Sequence, residues 1–161
     1  GEYEQVAERL GPALADHPPY PLVHYNAACI YSLTARTDEA IAHYPQALAI
    51  SPRDADTHNN LGMLLAARGD AANAIEHFQT VIRIDPLYAK AHFNLGRIFM
   101  QQGRIDEAVN YLRKAAQIQP DVAEIHESLG RALALQGKTE EGAKHLQEAL
   151  TILKSRQSMP K

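Results

Sequence analysis

The chain repeats itself. Sliding the sequence by 34 residues brings Gly62, Gly96 and Gly130 into register, together with Leu61, Leu95 and Leu129 and with Pro52, Pro86 and Pro120. A pattern rewritten at a fixed interval means copies of one supersecondary unit, each hiding its apolar face against the next. Most folds built around a single sheet or a single core are thereby excluded.

The clearest copy runs from Ala89 to Pro120. Its first half, with Leu95, Gly96 and Phe99 at helical spacing, ends at Gly103, a residue suited to the left-handed conformation that closes a helix. Its second half places Ala108, Leu112 and Ala115 on one face and stops at Pro120, which cannot continue a helix. Two antiparallel helices approach closely only where side chains are short. Gly96, Ala108 and Ala115 supply that room, and Leu95, Phe99 and Leu112 fill the gaps.

These residues resemble the tetratricopeptide repeat, in period and in the order of large, small and proline positions. The resemblance implies an all-α fold, a right-handed α-solenoid of helix-turn-helix repeats. It covers four units, 21–54, 55–88, 89–122 and 123–156, after a half repeat over 1–20 that supplies only a second helix, and it leaves 157–161 as a frayed tail. Gly1 falls at the position of Gly69, Gly103 and Gly137, so the chain reads as a piece of a longer protein that starts inside a repeat. Glu2 to Ala15 is then the orphan second helix, followed by a proline-rich turn to Pro21.

The units are not equal. The first has Ala28 and Ala35 where the others carry glycine, and Pro45 inside its second helix, where proline removes a hydrogen bond and crowds the carbonyl of Ile41. It is expected to be the soft one. The second and third are the most regular, with Asp54 and Asp70 placed to cap helix starts. The fourth has Gly142 where others use alanine and Lys154 where the proline belongs, so its last helix runs on toward Arg156 and leaves Leu146, Leu150 and Leu153 open to solvent or to self-association.

Composition removes several functions. The net charge of −3 offers no basic stripe for nucleic acid. Cys29 is the single cysteine, which excludes an internal disulfide and a cysteine-based metal site. No apolar run is long enough for membrane insertion, and the N-terminal residues lack the regions of a signal peptide. The compartment stays open: cytoplasm, or periplasm if a longer protein carries a signal. There is no phosphate loop or nucleophile motif, so the chain is not read as an enzyme, and no cofactor is expected.

Function then falls to a surface. In a stack of such hairpins the first helices line a concave wall, to which the register assigns Tyr25 and Asn26, then Asn59, Asn60 and Met63, then Lys90, Phe93, Asn94 and Arg97, and finally Arg131. Asn26, Asn60 and Asn94 hold one position in three successive units. An amide donates and accepts, which suits the backbone of an extended peptide. The row is similar to the asparagine ladder in the superhelix of O-linked N-acetylglucosamine transferases, and the similarity implies binding of extended polypeptide with modest sequence preference. The alternative is that these amides bond to the neighbouring helix. A chaperone-tail clamp fits poorly, because Tyr25, Cys29 and Asn94 stand where its Lys, Asn and Arg would be. Lys90, Arg97 and Arg131 make a basic spot open to an acidic side chain, or answered by Glu124 and Glu127.

The reading is thus a scaffold binding an extended peptide or protein segment in its groove, with a substrate-recruiting or regulatory segment of a larger enzyme such as a glycosyltransferase as the alternative. Two rows of histidines, His24, His58, His92 and His126, and His43, His77 and His145, follow the same period. Successive members of a row stand about 10 Å apart and cannot share an ion. A metal held between the rows lacks a clear fourth ligand, so partial burial as flat packing residues is expected.

Overall fold

The computed structural model describes residues 2–15, 21–33 and 36–157, in two compact units that divide after Ile84. The described residues are helical apart from short turns. The first unit holds α1 (Glu2–Ala15), α2 (Pro21–Leu33), α3 (Thr37–Ile50), α4 (Ala55–Ala67) and α5 (Ala71–Ile84). The second holds α6 (Ala89–Gln101), α7 (Ile105–Ile118), α8 (Ala123–Leu135) and α9 (Thr139–Gln157). Within each unit consecutive helices pair as hairpins, α2 with α3, α4 with α5, α6 with α7 and α8 with α9, and hairpin packs on hairpin. This is the all-α helix-turn-helix repeat architecture that the periodicity demands.

The turns explain why the hairpins recur. Gly69, Gly103 and Gly137 have φ of 88°, 73° and 86°, the left-handed region that glycine enters without strain. Each is flanked by the same pair of bonds. Arg104 N–H donates to the Phe99 carbonyl at 2.9 Å and Gly103 N–H to that of Met100 at 3.1 Å, satisfying two carbonyls that the helix end would leave bare. Ala35 lies outside the described residues, as do the proline-rich turn before Pro21 and the residues after Gln157. Asp54 caps α4, its carboxylate accepting from Asp56 N–H at 3.2 Å, and Asp70 accepts from Asn73 N–H at 3.3 Å.

Close approach is as tight as the small residues predict. A Cβ on Gly96 would stand 2.5 Å from Leu112 Cγ, and one on Gly62 2.9 Å from the Phe78 ring. Gly142 extends the rule rather than breaking it. A Cβ there would lie 2.6 Å from the Gly130 carbonyl oxygen, so α8 and α9 meet backbone to backbone. In the second unit Val109 and Leu112 of α7 and Leu129, Ala132 and Leu133 of α8 form a buried cluster, against which Phe93 and Met100 of α6 pack. α1 packs on α2, burying Ala7, and Tyr31 Oη donates to its carbonyl at 3.5 Å. α9 runs to Gln157, and Arg156 ties the overhang back by donating to the Asp121 carbonyl at 3.0 Å. No described helix is long and apolar enough to cross a membrane.

Candidate functional site

In the first unit the two successive first helices touch through wall residues. Asn60 on α4 donates its Nδ2–H to Tyr25 Oη on α2 at 3.3 Å, so part of this amide is spent holding one repeat to the next. Tyr25 stands edge-on to Tyr44, ring centres 6.3 Å apart. Burial, and then the Cys29 thiol beside it, raises the Tyr25 pKa, which keeps the phenol neutral and able both to donate and to accept. Asn26 and Met63 are exposed. Asn59 is not a wall residue. It is 2% exposed, with Nδ2 3.5 Å from the Met63 sulfur one turn along, because its register position turns inward where α4 packs.

Cys29 Sγ lies 3.7 Å from Tyr44 Oη. Burial and the thiol contact hold the Tyr44 phenol well above its ordinary range, so it is no base for activating that sulfur.

The second unit repeats the arrangement with charge. Arg97 on α6 reaches Glu124 on α8 at 3.8 Å, and its guanidinium lies 5.6 Å from the centre of the Phe93 ring. Phe93 is half-buried against the hydrophobic cluster. Arg131 pairs with Glu127 at 2.8 Å along α8. The expected basic spot is therefore largely answered from within. Both pairs are exposed, however, and exposed pairs contribute ~0–1 kcal/mol, so an acidic ligand displaces them at small cost. Lys90 is exposed at the edge of an open cavity of roughly 250 Å³ that Asp85, Leu87, Tyr88 and Gln119 also line. Asn94 is half-buried.

The histidine rows meet pairwise. His24 and His43 stack, ring centres 5.6 Å apart, and His58 with His77 and His126 with His145 stand at 5.1 and 5.3 Å. In the remaining repeat Tyr111 replaces the second histidine, 6.0 Å from His92. The signal available was a spacing of 19 residues between histidines in three of the four repeats. Burial, and then the facing imidazole, lowers the pKa of His43 and of His77.

No curated protein matches the chain in sequence. Among solved structures, a crystal structure of MamA superposes with a TM-score of 0.90 at 20% identity, covering 99% of this chain and 93% of that one. MamA 41-end from Desulfovibrio magneticus RS-1 gives 0.87 at 17% identity, covering 98% and 89%. At such identities the likeness is one of fold. The family model described as "Tetratricopeptide repeat" matches residues 65–131 and 99–155, and that described as "TPR repeat" matches 36–69. With helix hairpins, turn glycines and more than half of the sequence matched, the chain belongs to the tetratricopeptide repeat family.

Proposed function

We propose that the chain is a protein-interaction scaffold whose first helices hold an extended peptide or protein segment. The observation that carries this is the side-by-side placement of successive first helices, α2 with α4 through Tyr25 and Asn60, and α6 with α8 through Arg97 and Glu124. These contacts support a strip of amide and aromatic side chains in the first unit and of amide, aromatic and charged ones in the second, of which Asn26, Met63, Lys90, Arg97 and Arg131 are exposed. Asn26, Asn60 and Asn94 are assigned to the ligand backbone, Tyr25 and Phe93 to its apolar side chains, and Lys90, Arg97 and Arg131 to an acidic one.

Selection of extended peptides from a display library, followed by anisotropy titration, tests this. Replacing Asn26, Asn60 and Asn94 by alanine is expected to keep the helical signal while weakening the selected peptide by ~1 kcal/mol or more per lost pair. Tyr25→Phe separates the roles of Asn60: it removes the hydroxyl that Asn60 holds but leaves the amide for ligand, so binding survives. Normal binding by the triple variant would move recognition off these helices. A second reading, self-association, rests on Leu146, Leu150 and Leu153, which are 37%, 50% and 46% exposed on α9. Sedimentation as a monomer at high concentration removes it.

A further inference from the structure

The histidine pairs are built alike, and one of them carries an additional group. Nδ1 faces Nδ1 at 3.3 Å in His24–His43, at 2.9 Å in His58–His77 and at 3.1 Å in His126–His145. Only the last has a carboxylate one helical turn beyond its second histidine. Glu148 Oε2 stands 2.9 Å from His126 Nδ1 and 2.8 Å from His145 Nδ1. The corresponding residues are Gln46 in the first repeat and Thr80 in the second, where the hydroxyl donates to the Glu76 carbonyl at 2.9 Å. Among the described residues this is the one group of three His, Cys, Asp or Glu side chains with converging ligand atoms.

Counting hydrogens shows what the cluster lacks. His126 Nε2 is 2.9 Å from the Pro120 carbonyl oxygen, which can only accept, so Nε2 carries the hydrogen. Neutral imidazole has one such hydrogen, and His126 Nδ1 therefore presents a lone pair. The same tautomer recurs at His92, whose Nε2 lies 3.0 Å from the Pro86 carbonyl and whose buried Nδ1 has no partner among the described residues. At the His126–His145 pair, an Nδ1–H on His145 is the one hydrogen available to two acceptor atoms, His126 Nδ1 and Glu148 Oε2. It leaves the lone pair of His126 set against the Glu148 carboxylate. A cation at the centre relieves that repulsion, and with the hydrogen of His145 moved to Nε2 all three atoms become ligands.

The dimensions suit such an ion. With ligand atoms at these separations, an ion ~2.1 Å from each stands about 1.2 Å out of their plane and sees them at about 90° to one another, one face of an octahedron. The His126 side chain is 8% exposed and that of His145 22%, so two ligands are held by packing, while Glu148, at 53%, opens the third side to solvent. An adjoining cavity of roughly 350 Å³ gives room for coordinated water. Arg113 lines it too, but its charge is directed to Glu141 at 2.6 Å. The Pro120 carbonyl is the outer partner that ligating histidines ordinarily have.

We propose that His126, His145 and Glu148 form a binding site for a divalent transition-metal ion, with two imidazole nitrogens and one carboxylate oxygen as protein ligands and water completing the shell. The test is calorimetric titration of the tag-free chain with zinc chloride, with cobalt(II) absorption as a second readout. One ion per chain is expected, at micromolar affinity or tighter, with a rise in Tm on saturation. His145→Ala and Glu148→Gln, both at partly exposed positions, are each expected to weaken binding at least tenfold. Their circular dichroism reports folding independently. His77→Ala, in the pair without a carboxylate, is expected to leave stoichiometry and affinity unchanged. Absence of saturable zinc binding overturns the proposal. So does binding that survives both site variants or is lost with His77→Ala.

Discussion

At the scale of single residues, Gly142 shows that a departure from a repeat pattern can be a fit rather than a flaw. Alanine there gains up to about 1 kcal/mol of helix propensity. Its Cβ, however, meets the Gly130 carbonyl oxygen at 2.6 Å and the Ala134 nitrogen at 3.3 Å, and backbone cannot swing aside as a side-chain tip can. Overpacking of this kind costs ~1–3 kcal/mol, so Gly142→Ala is expected to lower the denaturant midpoint despite its better propensity. The histidines give a second expectation. Because His43 and His77 have folded pKa values below the ordinary one, chiefly through burial and then through His24 and His58, the fold favours their neutral forms. Their stabilising contribution is complete above the unfolded value of about 6.5 and is lost as pH falls through it toward the folded value. Urea midpoints measured from about pH 7 to about pH 5 are expected to fall less in a His43→Gln, His77→Gln double variant than in the parent. Equal slopes would remove these two residues from the effect.

At the scale of elements, α3 carries the clearest defect. Pro45 sits exposed within it and withholds the N–H that Ile41 C=O would otherwise receive. Pro45→Ala is expected to raise Tm, by ~2–4 °C for each kcal/mol recovered, and an unchanged Tm would mean that packing accommodates the proline. The start of α3 also lacks a side-chain cap at Arg36, whereas Asp54 caps α4; Asp54→Ala is expected to cost ~1 kcal/mol in chemical denaturation. Most of this was legible in the sequence, because helix punctuation is local: a turn glycine, a capping aspartate and a closing proline act on the few residues beside them. The wall was less so. Periodicity says which positions face one way, but whether a side chain is spent on a neighbour depends on its reach across a gap between helices. That is why Asn59 turned out buried, and why the pairing of Asn60 with Tyr25 and the convergence of Glu148 on two histidines required coordinates.

At the scale of the molecule, a repeat array distributes stability along its length instead of concentrating it in one core. Amide hydrogen exchange is accordingly expected to be faster in α2 and α3 than in α6 and α7, where cluster packing and regular turns coincide; uniform protection would contradict that gradient. One recurring bond sets a further constraint. Pro52, Pro86 and Pro120 each stand just before the end of a repeat, and their carbonyls receive Nε2–H from His58, His92 and His126 of the repeat that follows, at 3.1, 3.0 and 2.9 Å. The seam is thus a fixed interval of six residues between a proline and a histidine. Removing 89–122 joins Tyr88 to Ala123 and restores that interval between Pro86 and His126, whereas a deletion one residue longer or shorter destroys it. In such a chain the whole repeat is the natural quantum of insertion or deletion, because only a change of that length keeps every seam's hydrogen bond in register.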